Sequence, residues 1–269
     1  SAARNTGLDA ANGDYVIFFD HDDLAEKNFI SSLYKEIEDK NADLVFCRYT
    51  HYVKSEDRHK RNLHWLPKNP LPSPIDYLKA YARQKISFQT VWNFIFRKSF
   101  LDRNKLRFPE DSYIAEDIEF ILKAIVLSSR ILFVKDELYH HVIHPAQQTQ
   151  ADVKKRTNYK NYNQEVLCMW RAGRCIMRHT NDRELKNYVL YRFIADKIIK
   201  RFTTAARAGD IEYYERLVTT IKHKKIRKVI SITGKFIFRE PELFFKALII
   251  LYAPNLYYKL RKKSHEIKY

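Results

Sequence analysis

The chain has 269 residues, 45% hydrophobic and 14% aromatic, which supports a buried core and excludes a globally disordered chain. Its three cysteines, Cys47, Cys168 and Cys175, form no CxxC pair; this argues against a disulfide framework or a zinc site and suits a reduced, cytoplasmic protein. The formal charge of +17 is uneven: residues 151–269 hold 28 Lys/Arg and 11 Asp/Glu, residues 1–150 hold 21 of each, so an anionic partner surface is expected of the C-terminal part.

Tyr15 to Phe19 has no gap in its hydrophobicity, which suits a strand buried on both faces of a parallel sheet. It delivers Asp20, Asp22 and Asp23 at its C-terminal end, where open α/β sheets place ligands. Carboxylates this close are stable when solvated, partly protonated or bound to a hard divalent cation. Phe29, Ile30, Leu33 and Ile37 follow helical spacing and predict a helix over about residues 26–40, with Asn28 at its cap. Ala42–Cys47 reads as a second strand, and the charged, His-rich stretch 51–64 as an exposed loop. A proline-rich crossover at 66–74 follows, then a helix over Ile75–Ala82 and a strand over Val91–Phe96. Glu116–Ser128 reads as a helix and Ile131–Val134 as a strand.

Beyond residue 150 the texture becomes helical, with elements predicted at 159–178, 183–208 and 211–222, and an apolar block at 241–252. Two regions follow: an α/β domain over 1–150 and an all-α basic region over 151–269. In the latter, Lys222–Lys228 precedes aromatic and aliphatic helix faces, a pattern that suits an interfacial helix on an anionic membrane; the alternative is a helical appendage with solvated lysines. No nucleic-acid recognition module is present, so no nucleic-acid partner is expected.

The segments Ala3-Arg4-Asn5-Thr6-Gly7-Leu8, Ala11-Asn12-Gly13-Asp14-Tyr15 and Asp20-His21-Asp22-Asp23 resemble the signature of the family 2 glycosyltransferases of the GT-A fold, of bacterial polysaccharide or lipopolysaccharide type. The resemblance continues in Val91–Arg97, Leu106–Glu110, Ala115-Glu116-Asp117-Ile118-Glu119-Phe120 and Leu138–Pro145, and so spans residues 1–150. It departs at His141-Val142, where the family has Tyr-Arg, and at Gln147, where Ser is common. It implies a Rossmann-like GT-A domain whose first strands lie upstream of Ser1, so that the chain by itself is expected to be inactive. It implies an inverting transfer of a sugar from a nucleoside-diphosphate sugar to a hydroxyl of a glycan or lipid-linked glycan, dependent on Mn²⁺ or Mg²⁺, on the inner face of the cytoplasmic membrane.

By the same resemblance Asp22 is the direct metal ligand, Asp20 holds the donor ribose or a metal-bound water, and His144 is a third ligand or a phosphate contact. Asp117 is the catalytic base and Glu116 orients the acceptor. Arg4 and Asn5 meet the donor, although Asn5 and Gly7 also suit a turn into the sheet. Trp92 is a candidate platform for a sugar ring, with core packing as the alternative. Asp23 is read as structural, and His21 as pointing to the other face. Two rivals stand beside this reading. A haloacid-dehalogenase-like phosphatase also places Asp-x-Asp after an apolar strand, but continues with Gly and Thr where this chain has Asp23-Leu24. The other is an inactive fragment or membrane-binding module.

Overall fold

The computed structural model of the protein describes residues 1–53, 58–61, 67–88, 90–143, 159–236, 238 and 241–266. In chain order its first part comprises α1 (Ala2–Ala10), β1 (Tyr15–Ile17), β2 (Leu24–Ala25), α2 (Phe29–Asp39), β3 (Leu44–Val53), β4 (Arg58–Arg61), α3 (Pro74–Ala82), β5 (Phe94–Arg97), α4 (Lys98–Arg103), α5 (Glu116–Leu127) and β6 (Ile131–Ile143). The sheet order is β1-β5-β3-β6-β2, with β4 on β3; the β3–β6 pair is parallel and the other pairs are antiparallel.

In the middle of the sheet β3 is buried on both faces from Leu44 to Cys47, while its parallel partner β6 alternates buried and partly exposed residues up to Val134. Phe46 of β3 stacks on Phe94 (5.0 Å) and Phe133 (4.8 Å) and meets Tyr77 and Phe88 edge-on. Fully burying each such ring stabilises by roughly 1.5–3 kcal/mol. A register shift between Cys47 and Tyr49 interrupts the β3–β6 ladder. Buried Asn93 serves the backbone there: its Nδ2 donates to Cys47 O (2.7 Å), and its own carbonyl accepts from Cys47 N (3.1 Å).

Several expectations change. The run at Tyr15–Phe19 is a three-residue strand at the edge of the described sheet, antiparallel to β5; Val16 and Phe18 are buried while Phe19 is half exposed. The stretch read as an exposed loop carries the end of β3 and the hairpin strand β4, since Tyr49, Thr50, Tyr52 and Val53 are strand formers and cross-strand pairing needs no apolar period. β6 runs on to Ile143, nine residues beyond the predicted strand end, and pairs with β2 through His140 and Tyr139. Gly7 sits inside α1 with open space where a Cβ would be, so it sets no turn.

The second part is helical: α6 (Tyr159–His179), α7 (Arg183–Tyr188), a π-helical stretch (Val189–Ala195), α8 (Asp196–Ala208), α9 (Ile211–Ile221), α10 (Lys224–Ser231), a 3₁₀ turn (Ile232–Phe236), α11 (Pro241–Tyr252) and α12 (Pro254–Glu266). Gly209, at φ +70°, ends α8 in the left-handed conformation that glycine adopts without a Cβ clash. One continuous apolar core joins this region to the sheet. Tyr81 of α3 meets Phe193 edge-on, Lys79 reaches Asp182 at 2.5 Å, and Arg83 pairs with Glu184. Among the described residues no helix is long and apolar enough to cross a membrane.

Candidate active site

Three local structures converge at one end of the sheet. α1 presents Arg4, the turn after β1 carries Asp20, Asp22 and Asp23, and the first turn of α5 presents Glu116 and Asp117. Arg4 joins them: its Nη1 donates to Asp117 Oδ1 at 2.5 Å and its Nη2 to Asp20 Oδ1 at 3.2 Å, while its guanidinium lies 5.4 Å from the Phe108 ring centre. All three side chains are partly shielded from water, which strengthens both attractions.

Asp117 opens α5 among three acidic residues of its first turn, where the helix dipole favours negative charge. Ala115 immediately before the helix is left-handed, at φ +63° and ψ +14°. A residue with a Cβ adopts that conformation at a cost on the order of 1–3 kcal/mol, and such strain persists where the surroundings enforce it. Burial pushes the Asp117 carboxyl up to about 7; Arg4 opposes this, and the charges of Glu116 and Asp20 add to it. The burial cost outweighs the attraction of one shared guanidinium, which leaves a carboxyl that exchanges its proton near neutrality.

The acidic turn divides its carboxylates. Asp23 is buried: Tyr139 donates its hydroxyl to Oδ2 (2.7 Å) and Val142 N donates to Oδ1 (2.8 Å), tying the turn to β6. Burial raises its pKa against those two hydrogen bonds. Asp20 and Asp22 remain accessible, and both offer the hard oxygen atoms that Mg²⁺ or Mn²⁺ takes when phosphates and water complete the shell. Among the described residues no group of three potential ligands gathers, and His144 lies outside the described residues.

Two expected site residues are placed elsewhere. Asn5 is buried and its amide is fully engaged, with Nδ2 donating to Phe108 O (3.0 Å) and Glu110 Oε1 (2.9 Å) and Oδ1 accepting from Phe108 N (2.9 Å). It clamps the Phe108–Glu110 segment rather than facing a donor. Trp92 is 4% exposed, stacked on Tyr139 at 4.2 Å and parallel to His141 at 5.7 Å, so it is a core ring and no open platform. Tyr113, four residues before Asp117, is instead 58% exposed. Its only sequence signal is an aromatic residue between the Phe-Pro-Glu and Glu-Asp segments. Glu116 is half-buried beside Asp117.

Residues 1–104 match the family model described as glycosyl transferase family 2. The uncharacterized glycosyltransferase EpsJ of Bacillus subtilis is 32% identical over 157 residues, which cover 57% of this chain and 45% of EpsJ. The poly(ribitol-phosphate) β-N-acetylglucosaminyltransferase TarP of Staphylococcus aureus is 29% identical over 144 residues, 53% of this chain and 41% of TarP. The chain thus spans less than half the length of these curated relatives. In fold it resembles S. aureus TarS 1–349, solved in complex with UDP-GlcNAc, at a TM-score of 0.65 and 17% identity over 98% of this chain and 71% of that one. That likeness extends through the helical region and establishes a GT-A fold followed by helices.

Proposed function

We propose that the chain, whose residues 1–104 match the glycosyl transferase family 2 model, belongs to that family and moves a sugar, with inversion, from a nucleoside-diphosphate sugar to a hydroxyl of a glycan or lipid-linked glycan. The observation that carries this reading is the Arg4 bridge, which brings the Asp20 turn and Asp117 to one guanidinium. On this reading the donor lies over Asp20 and Asp22, and Asp117 faces the acceptor. The acceptor hydroxyl gives its proton to an Asp117 oxygen as its own oxygen attacks the anomeric carbon. The nucleoside diphosphate leaves from the opposite face, so a single displacement inverts the centre. A carboxyl buffered near 7 suits that task, because it is ionised often enough to accept the proton and basic enough to hold it.

Asp20 and Asp22 would hold Mg²⁺ or Mn²⁺ together with the donor diphosphate, and the ion would neutralise charge that grows on the leaving oxygen. Tyr113, four residues before Asp117 and exposed, would offer a face for a sugar ring, which buried Trp92 does not. From Lys222 to α12 the chain exposes Lys222, Lys224, Lys228, Lys259 and Lys262 and also Phe245, Tyr252, Leu256 and Leu260, residue types that suit an anionic membrane carrying a lipid-linked acceptor. Measured on the full-length protein, a panel of nucleoside-diphosphate sugars, starting with UDP-GlcNAc, tests the function by release of the nucleoside diphosphate. Release with one donor in the presence of Mn²⁺ supports it; an aspartyl-phosphate trapped on Asp20 would favour the phosphatase reading instead.

A further inference from the structure

The helical region carries no motif of its own, yet one face of α6 grips the turn that presents Asp117. Gln164, Cys168 and Arg171 follow one another at spacings of four and three, which aligns them on one side of the helix. Gln164 Oε1 accepts from Tyr113 N at 3.2 Å, and Cys168 Sγ contacts Ile114 O at 3.5 Å. Arg171 makes the strongest contacts. Its Nη1 donates to Asp111 Oδ2 (2.8 Å), its Nε to Glu119 Oε1 and Oε2 (2.9 and 2.8 Å), and its Nη2 lies 2.8 Å from Glu119 Oε2.

Glu119 is two residues past Asp117 and 1% exposed, with Lys123 as its second cation at 2.5 Å. Its amide donates to Ala115 O at 2.9 Å, closing the turn that begins at the left-handed residue. The buried Glu119 carboxylate is held from α6 by Arg171 and from within α5 by Lys123, so Arg171 is the cation that ties it to the helical region, and a buried carboxylate that loses a partner is destabilised. Pinning Glu119 fixes the rotation of α5 about its axis, and with it the direction of Asp117.

The geometry points to Arg171 as a positioning residue for Asp117, through which the helical region sets the aim of the base. This rests on the reading of Asp117 as base, and it extends that reading to a residue 52 positions beyond Glu119 in the chain.

The test reads position on the whole chain without substrate, and sugar transfer is measured separately on the same variants. Amide exchange over residues 111–118 and the ¹³C titration of the Asp117 carboxyl are measured in Arg171→Met, Arg171→Lys and the paired Glu119→Gln/Arg171→Met. The paired variant removes both charges and keeps the protein measurable if Arg171→Met fails to fold. Exchange in the paired variant is expected to accelerate by about tenfold or more within 111–118 while the β3 and β6 amides stay protected. The Asp117 titration is expected to fall toward the ordinary carboxylate range as water reaches it, and Arg171→Lys to restore part of both effects. A folded paired variant with wild-type exchange at 111–118 and an unmoved Asp117 titration would overturn the proposal. Loosened exchange combined with undiminished sugar transfer would instead remove Asp117 as the base and leave Arg171 in its place on the turn.

Discussion

Arg4 on α1 and Asp117 on α5 are 113 positions apart in the chain and meet at 2.5 Å, Nη1 to Oδ1. The same guanidinium reaches Asp20 at 3.2 Å, so one cation lies between the acidic turn and the proposed base. Its charge works against the burial that raises the Asp117 pKa.

That opposition gives a signed prediction. In Arg4→Met the attraction is lost and burial remains, so Asp117 should titrate higher still. The pH profile of sugar transfer should show its rising limb near 7 in the parent and about one unit or more higher in the variant. A limb that stays put, or moves to lower pH, would separate Arg4 from the ionisation of Asp117.

Asp117 also links activity to stability. Its folded pKa stands above the ordinary value, so between about pH 4 and 7 the folded state keeps a proton that the unfolded state has released. Stability therefore falls as pH rises through that window, and the cost is fully present above the folded value. Asp117→Asn removes the cost, while Arg4 keeps Asp20 as a partner. Chemical denaturation should show the variant more stable at pH 8 by on the order of 2–4 kcal/mol, with the gain gone at pH 4. A gain equal at both values would mean that the carboxyl is not the source.

Asp23 and Tyr139 hold the acidic turn to β6 and should answer as structural residues. Tyr139→Phe removes a hydroxyl that donates to a buried carboxylate at 2.7 Å, and should lower stability by about 1.5–3 kcal/mol. Asp20→Asn, at a more accessible carboxylate, should cost less in the same urea titration. Equal losses would place Asp20 in the fold as firmly as Asp23.

The two accessible carboxylates carry the metal proposal. Calorimetric binding of UDP-GlcNAc should strengthen at least tenfold on adding Mn²⁺, about 1.4 kcal/mol or more, and chelation or Asp22→Asn should cancel the gain. Equal affinity with and without metal would sink the assignment.

What was legible in the sequence was local. The apolar run before Asp20 and the acidic start of α5 lie in short stretches whose spacing suffices to place a strand and a helix there, although the strand is a short antiparallel edge strand and not one buried on both faces of a parallel sheet. For Asn5 and Trp92 the sequence leaves two roles open, a site contact or a structural one, because burial depends on what arrives from elsewhere. The Asn5 amide is claimed by a segment 103 residues away, and Trp92 is covered by Tyr139 and His141 of β6. The hairpin at β3–β4 was missed because its polar residues carry no apolar rhythm and its strands exist through pairing. Glu119–Arg171 left no mark at all in the spacing of residues, since only the packing of α6 on α5 brings them together. The same packing joins the two regions, whose compositions differ, in one core.

The central claim is that Asp117 takes the acceptor's proton. Transfer and donor binding measured side by side in Asp117→Asn test it most directly. The amide keeps the size and the helix start but cannot accept that proton, so the rate of transfer should drop by about 10²–10⁴ while donor affinity stays within a few-fold of the parent. Parent-like transfer in the folded Asn variant would contradict the claim.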